Sequence, residues 1–140
     1  MSELREKIQR ALSGPQLAVL ATVTAEGLPW ARYVMAFADD DLTLRIVTAL
    51  DSRKAQQIGM HPDVHLTCGA TTLEATREYL QIAGRAEITR DAQKRQAMWN
   101  EMLERYFSGP DDPNYAIIRV RPVRIEYMGS GSMEPEVWTP

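Results

Sequence analysis

The chain has 140 residues, 44% of them hydrophobic and 25% charged. That is a single-domain length with an ordinary globular composition, and it is too short for a (β/α)₈ barrel, which takes about 250 residues. Sixteen Lys and Arg stand against nineteen Asp and Glu, a net charge of −3, which argues against a general nucleic-acid binder. Elaborate chemistry is therefore expected from a bound cofactor, a partner chain, or both.

Residues 2–13 read as a helix, because Leu4, Ile8, Ala11 and Leu12 fall on one apolar face. Ser2 is suited to cap its start, and Gly14-Pro15 stops it. Leu17 to Thr24 and Pro29 to Phe37 are rich in β-formers and flank the turn Ala25-Glu26-Gly27, which predicts a hairpin. After the turn Asp39-Asp40-Asp41, Leu42 to Thr48 alternates apolar with polar residues and makes a third strand. Ser52 caps a short helix, Arg53 to Met60, which closes at His61-Pro62.

Val64 to Gly69 is a fourth strand, followed by a polar connection over Ala70 to Ala75. Arg77 to Ile88 is a long fifth strand with Gly84 as a bulge or close-approach point. Asp91 caps a helix from Ala92 to about Phe107, with Met98, Trp99, Met102, Leu103 and Tyr106 on one apolar side. Tyr115 to Met128 is the sixth strand. The fold class is therefore mainly β with flanking helices, and six strands of this length close most economically as a small antiparallel barrel. The expected organisation is one domain over 1–140, with a helix at 2–13, a barrel over 16–128 and a flexible tail over 129–140.

Met1 to Leu12 has no apolar core or cleavage site of a secretory signal. Leu17 to Val23 is far too short to span a bilayer. Cys68 is the only cysteine, so no intrachain disulfide forms. The expectation is a cytoplasmic protein with no membrane contact.

One helix breaks a local rule. A helix N-terminus carries about half a positive charge and favours acidic residues. The helix after Ser52 begins instead with Arg53 and Lys54. Rule violations of this kind gather where function demands them, and here the remedy is an anion. Free backbone N–H groups, the Ser52 hydroxyl and two cations converge on one phosphate. Thr48, at the end of the preceding strand, and Arg32, in the neighbouring strand, can serve the same anion; solvated side chains are the plain alternative. Other candidates are weaker. His61, His65 and Cys68 do not have zinc-ligand spacing, and an odd separation puts His65 and Cys68 on opposite faces of a strand, so no metal site is expected. Trp99 and Tyr106 read as helix core.

The chain resembles the pyridoxamine 5′-phosphate oxidase-like proteins, the FMN-binding split barrels, and within them the bacterial general stress protein branch. The resemblance runs from about Gln16 to Met128. Its most specific part is the segment from Ile46 to Ala55, whose Ser52-Arg53-Lys54 matches the family's FMN-phosphate segment. Further matches are the strand from Arg32 to Phe37, Gly84-Arg85-Ala86-Glu87, the strand from Pro122 to Tyr127, and Pro110 to Tyr115. The resemblance implies FMN held by Arg32, Tyr33, Val34, Met35, Val47, Thr48, Ser52, Arg53 and Lys54. It also implies a homodimer with FMN sites at the subunit interface, and an oxidoreductase whose substrate and electron donor the residues do not name.

Three departures argue against true pyridoxamine 5′-phosphate oxidation. Phe37 stands where the oxidase has lysine, Met128 where it has an aromatic, and the tail from Gly129 to Trp138 has neither Arg nor His. No side chain reads as an acid or base dedicated to substrate. A flavin-binding stress or carrier protein and a deazaflavin-dependent reductase are therefore the alternatives to an FMN oxidoreductase.

Overall fold

The computed structural model describes residues 2–70, 72–73, 78–129 and 132–140. The chain runs α1 (Glu3–Ala11), β1 (Gln16–Val23), β2 (Pro29–Ala38), β3 (Leu44–Ala49), α2 (Arg53–Met60), β4 (Asp63–Cys68), β5 (Tyr79–Thr89), α3 (Ala92–Met98), a 3₁₀ turn (Glu101–Arg105), β6 (Tyr115–Met128) and β7 (Glu136–Trp138). The expected start of the fifth strand at Arg77, and part of the polar connection before it, lie outside the described residues.

Period-two burial builds the barrel. Ala18 and Leu20 of β1, Leu44 and Ile46 of β3, Leu66 of β4, Ile82 of β5 and Ile118 of β6 all point inward and share one core. The strands pair in the order β3-β2-β1-β4-β5-β6, and β3 also pairs with β6. All of these pairings are antiparallel, so six strands close into a barrel, as the alternation predicts. Ile8 and Leu12 from the α1 segment are buried in the same core. Ser2 caps α1 by accepting from the Arg5 N–H at 3.1 Å. No described helix is long and apolar enough to cross a membrane.

β6 explains most of the topology. Its first half, Tyr115 to Val120, pairs with β3 on one side, while β5 follows almost its whole length on the other. The β5–β6 register slips between Ala83 and Gly84. A Cβ at Gly84 would sit 2.6 Å from Val120 Cγ1 and 2.8 Å from the Arg121 carbonyl, so the close approach requires glycine.

Three expectations need correction. The tail is not merely flexible. Beyond Val120, β6 would present unpaired backbone groups, and β7 takes them, with Ile125 opposite Trp138 and Tyr127 opposite Glu136. Lys7 bonds Glu136 at 3.2 Å, and Trp138 packs against the barrel core. Ser130 and Gly131 of that tail lie outside the described residues.

The helix expected from Ala92 to Phe107 stops at Met98. Trp99 and Asn100 are extended, and the Asn100 side chain caps a new 3₁₀ turn by accepting from the Met102 N–H at 2.9 Å. Asparagine is a strong N-cap, and here it interrupts the helical period. The break lets Trp99 and Phe107 pack on buried Tyr115, with ring centroids 5.5 and 5.1 Å away. Met102 and Tyr106 then turn outward, 69% and 72% exposed, instead of joining one apolar side.

The third strand begins at Leu44 and not at Leu42. Leu42 has φ 70°, a left-handed conformation that is costly for a bulky residue. It accepts that backbone in the Asp39–Thr43 turn while its side chain is buried in the core.

Candidate functional site

The corner between β3 and α2 forms as its sequence predicts. Ser52 is extended, its Oγ accepts from the Ala55 N–H at 3.3 Å, and its carbonyl accepts from the Gln56 N–H. Among the described residues, the N–H groups of Arg53 and Lys54 remain as the open donors of the first turn. Thr48, buried at the end of β3, shares a 3.0 Å hydrogen bond with Ser52 Oγ. Both hydroxyls therefore brace the corner, and Ser52 is committed to the cap and to Thr48.

Three cations surround that corner. Arg32 reaches from β2 and is held by a fan of acceptors. Its Nη1 donates to Thr22 Oγ1 at 2.7 Å and to the Leu20 and Trp30 carbonyls, and its Nη2 donates to Gln57 Oε1 at 3.1 Å. Thr22 also bonds Gln57, which ties the hairpin to α2. Arg53 lies over the Trp30 ring, 5.9 Å from its centroid. Lys54 turns the other way, into a cleft.

Two of the three cations are shifted in place. Burial lowers the Lys54 ammonium below its ordinary value, and Arg32 lowers it further. Burial likewise lowers Arg32, with Arg53 adding to the shift. Among the described residues, no carboxylate forms an ion pair with any of the three.

The cleft beside Lys54 has a volume of about 830 Å³. Tyr33, Val34 and Met35 of β2, Val47 and Thr48 of β3, and Lys54 of α2 line one side of it. Six of the nine residues expected to bind the cofactor therefore meet in one cavity. Arg32, Ser52 and Arg53 stand at the corner behind it and do not line it. Phe37 also lines the cleft, where a lysine would have brought a charge.

The opposite wall is the segment from Met98 to Phe107, with Asn100, Glu101, Met102, Arg105 and Tyr106 facing the cavity. The helical pattern predicts Tyr106 in the core, and the structure puts it at the cleft. The available signal was Asn100, a cap residue set inside an otherwise helical run. The remaining candidates lie apart from this cleft. Cys68 is buried in the barrel, where desolvation pushes its thiol up to about 11, so it is an inert core residue. His65, on the other face of β4, is half-buried, and that burial lowers its imidazole.

Comparison with known proteins adds a family. A sequence model described as pyridoxamine 5′-phosphate oxidase matches residues 4–129. General stress protein 26 of Bacillus subtilis (strain 168) is 34% identical over 133 residues, covering 95% of this chain and 94% of that protein. The crystal structure of General Stress Protein 26 from Bacillus anthracis str. Sterne is 30% identical with a TM-score of 0.85, covering 99% of this chain and all of that one. A solved structure described as an F420 reductase is 26% identical with a TM-score of 0.66, covering 84% of this chain and 94% of that one.

Proposed function

The chain belongs to the pyridoxamine 5′-phosphate oxidase family, and from that premise we propose that it is a flavoprotein that binds FMN at the β3–α2 corner and acts as a homodimeric oxidoreductase. One observation carries the reading. Arg32, Arg53 and Lys54 crowd the start of a helix, and no described carboxylate pairs with them. Such an arrangement is electrostatically unfavourable when empty and favourable around a phosphate.

Each residue has a distinct task. Lys54 and the open N–H groups of the first turn hold the phosphate, and Arg53 leaves the Trp30 face to join them. Arg32, fixed by Thr22 and Gln57, lends its charge from behind. Ser52 and Thr48 keep the turn in shape. Val34, Met35 and Val47 offer an apolar floor to the flavin ring, and Tyr33 borders it. Bound FMN supplies the redox chemistry, and the protein contributes binding, orientation and exclusion of water.

Phe37 leaves that side of the cleft without the ammonium expected of a pyridoxamine phosphate oxidase, and Trp138 is engaged with the barrel core. The substrate is therefore a different one. The homodimer is supported by Leu17, Tyr33 and Met35, large apolar side chains left exposed on β1 and β2, with Leu17 and Met35 directly opposite each other. A second chain seated there would also wall the cleft. The likeness to an F420 reductase favours a second reading, a deazaflavin in the same cleft.

The absorption spectrum of the purified protein, and of the cofactor released on denaturation, tests these readings. FMN bands are the expected result, and a deazaflavin spectrum selects the second reading. A donor-oxidation rate no higher than that of free FMN would reduce the protein to a flavin carrier.

A further inference from the structure

A second cavity, of about 440 Å³, opens on β5 and β6, lined by Pro62, Arg85, Glu87, Arg119, Arg121 and Val123, with Thr43 and Ala86. It gathers three arginines and one glutamate on a chain whose net charge is −3. Arg119 is committed, because Glu87 accepts from it at 2.9 Å. Arg85 and Arg121 are not. Arg85 meets Asp63 only at 3.5 Å, with both side chains mostly exposed (63% and 79%), a pair that solvent leaves weak. The Arg121 guanidinium makes no hydrogen bond or ion pair among the described residues.

Arg85 and Arg121 also sit directly opposite each other across the ladder, where like charges repel. The bulge creates that opposition. Ala83 faces Arg124 and Gly84 faces Pro122, so Val123 is the extra residue. Carried onward without it, the register would set Arg85 against Pro122 and Arg121 against Ala86. The single inserted residue therefore sets two arginines opposite each other at the rim of one cavity and leaves an exposed valine beside them.

We propose that this cavity is a second anion site, separate from the α2 corner, that takes a phosphate monoester. Arg85 and Arg121 present two planar forks to the phosphate oxygens. Pro62, Ala86 and Val123 offer a small apolar surface to the ester group. The site is built mainly on β5 and β6, with Pro62 and Thr43 at its edge, and does not depend on flavin binding.

The test titrates inorganic phosphate and phenyl phosphate into an Arg53→Gln/Lys54→Gln protein, in which the α2 corner is disarmed. One saturable equivalent of phosphate should remain, and phenyl phosphate should bind several-fold more tightly. Adding Arg85→Gln or Arg121→Gln should weaken binding about tenfold. In parallel, the Nε–H signals of Arg85 and Arg121 in the unmodified protein should shift with phosphate and not with chloride at equal ionic strength. Binding that survives both substitutions, or arginine signals that do not move, overturns the site. Equal affinity for the two probes overturns its apolar wall.

Discussion

The two walls of the large cleft were built by different means. The β2–β3–α2 wall obeys local rules: alternating strands, a serine cap, and a helix of the length its pattern predicts. The wall from Met98 to Phe107 violates the helical reading of its own sequence, because Tyr115 and the Asn100 cap impose another geometry. The first wall carries the cationic corner, which is fixed within about twenty residues of chain plus Arg32. The second is defined by tertiary packing, and it gives the cavity its remaining shape and polarity.

The largest expected effect breaks the packing on which the second wall rests, where Tyr115 also shares a cluster with Phe37 and Val47 of the first. Tyr115 is fully buried, touches Trp99 and Phe107, and donates from its hydroxyl to the Arg95 carbonyl at 2.7 Å. Tyr115→Ala should cost about 3–5 kcal/mol of stability, the usual range for emptying an aromatic site. Urea denaturation measures it; a loss under about 1 kcal/mol would mean that this wall is not packed as described.

The next effect falls on the first wall. Lys54→Ala should cost about 1.5–3 kcal/mol of FMN affinity, the worth of a hydrogen bond to a charged group, with riboflavin affinity little changed. The pH dependence sharpens this. Lys54 must be protonated to hold a phosphate, and its value in the free protein is lowered. FMN affinity should therefore be full below that lowered value and fall as pH rises through it. Lys54→Arg should flatten the fall. The free protein should show the opposite slope: the depressed ammonium costs stability while charged, so stability is lost as pH falls through the lowered value and recovered toward 10.5. Calorimetry of free and FMN-loaded protein over the alkaline range reads both slopes.

Asn100→Ala should have the smallest effect, about 1 kcal/mol of stability, as for other lost caps. It should also loosen the cleft wall, so FMN and riboflavin should weaken together. A selective loss of FMN would place a phosphate contact on the wrong wall.

The same contrast explains what was legible in the sequence. The barrel, the Ser52 cap, the Gly84 irregularity and the cationic corner all follow from short-range patterns: period two, one cap residue, one glycine, two misplaced charges. β7 was not legible, because Glu136-Val137-Trp138 is too short to show an alternation and follows a Gly-, Ser- and Pro-rich stretch that reads as a tail. Only the unpaired edge beyond Val120 makes a strand of it. Leu42 fits the alternation of the third strand by its apolar side chain, while its backbone turns left-handed. Tyr106 reads as core because an unbroken helix would bury it. The free edge of β6 decides the first case, a local turn the second, and the Asn100 cap with packing on Tyr115 the third.

The phosphate site proposed at the β3–α2 corner can be tested by itself. The most direct measurement compares FMN with riboflavin on the wild-type apoprotein at neutral pH and low salt. The two ligands share the flavin ring and differ in the phosphate. FMN should bind at least tenfold tighter, with the difference largely removed in an Arg53→Ala/Lys54→Ala variant. Equal affinities in the wild type, or a preference that survives that variant, would contradict it.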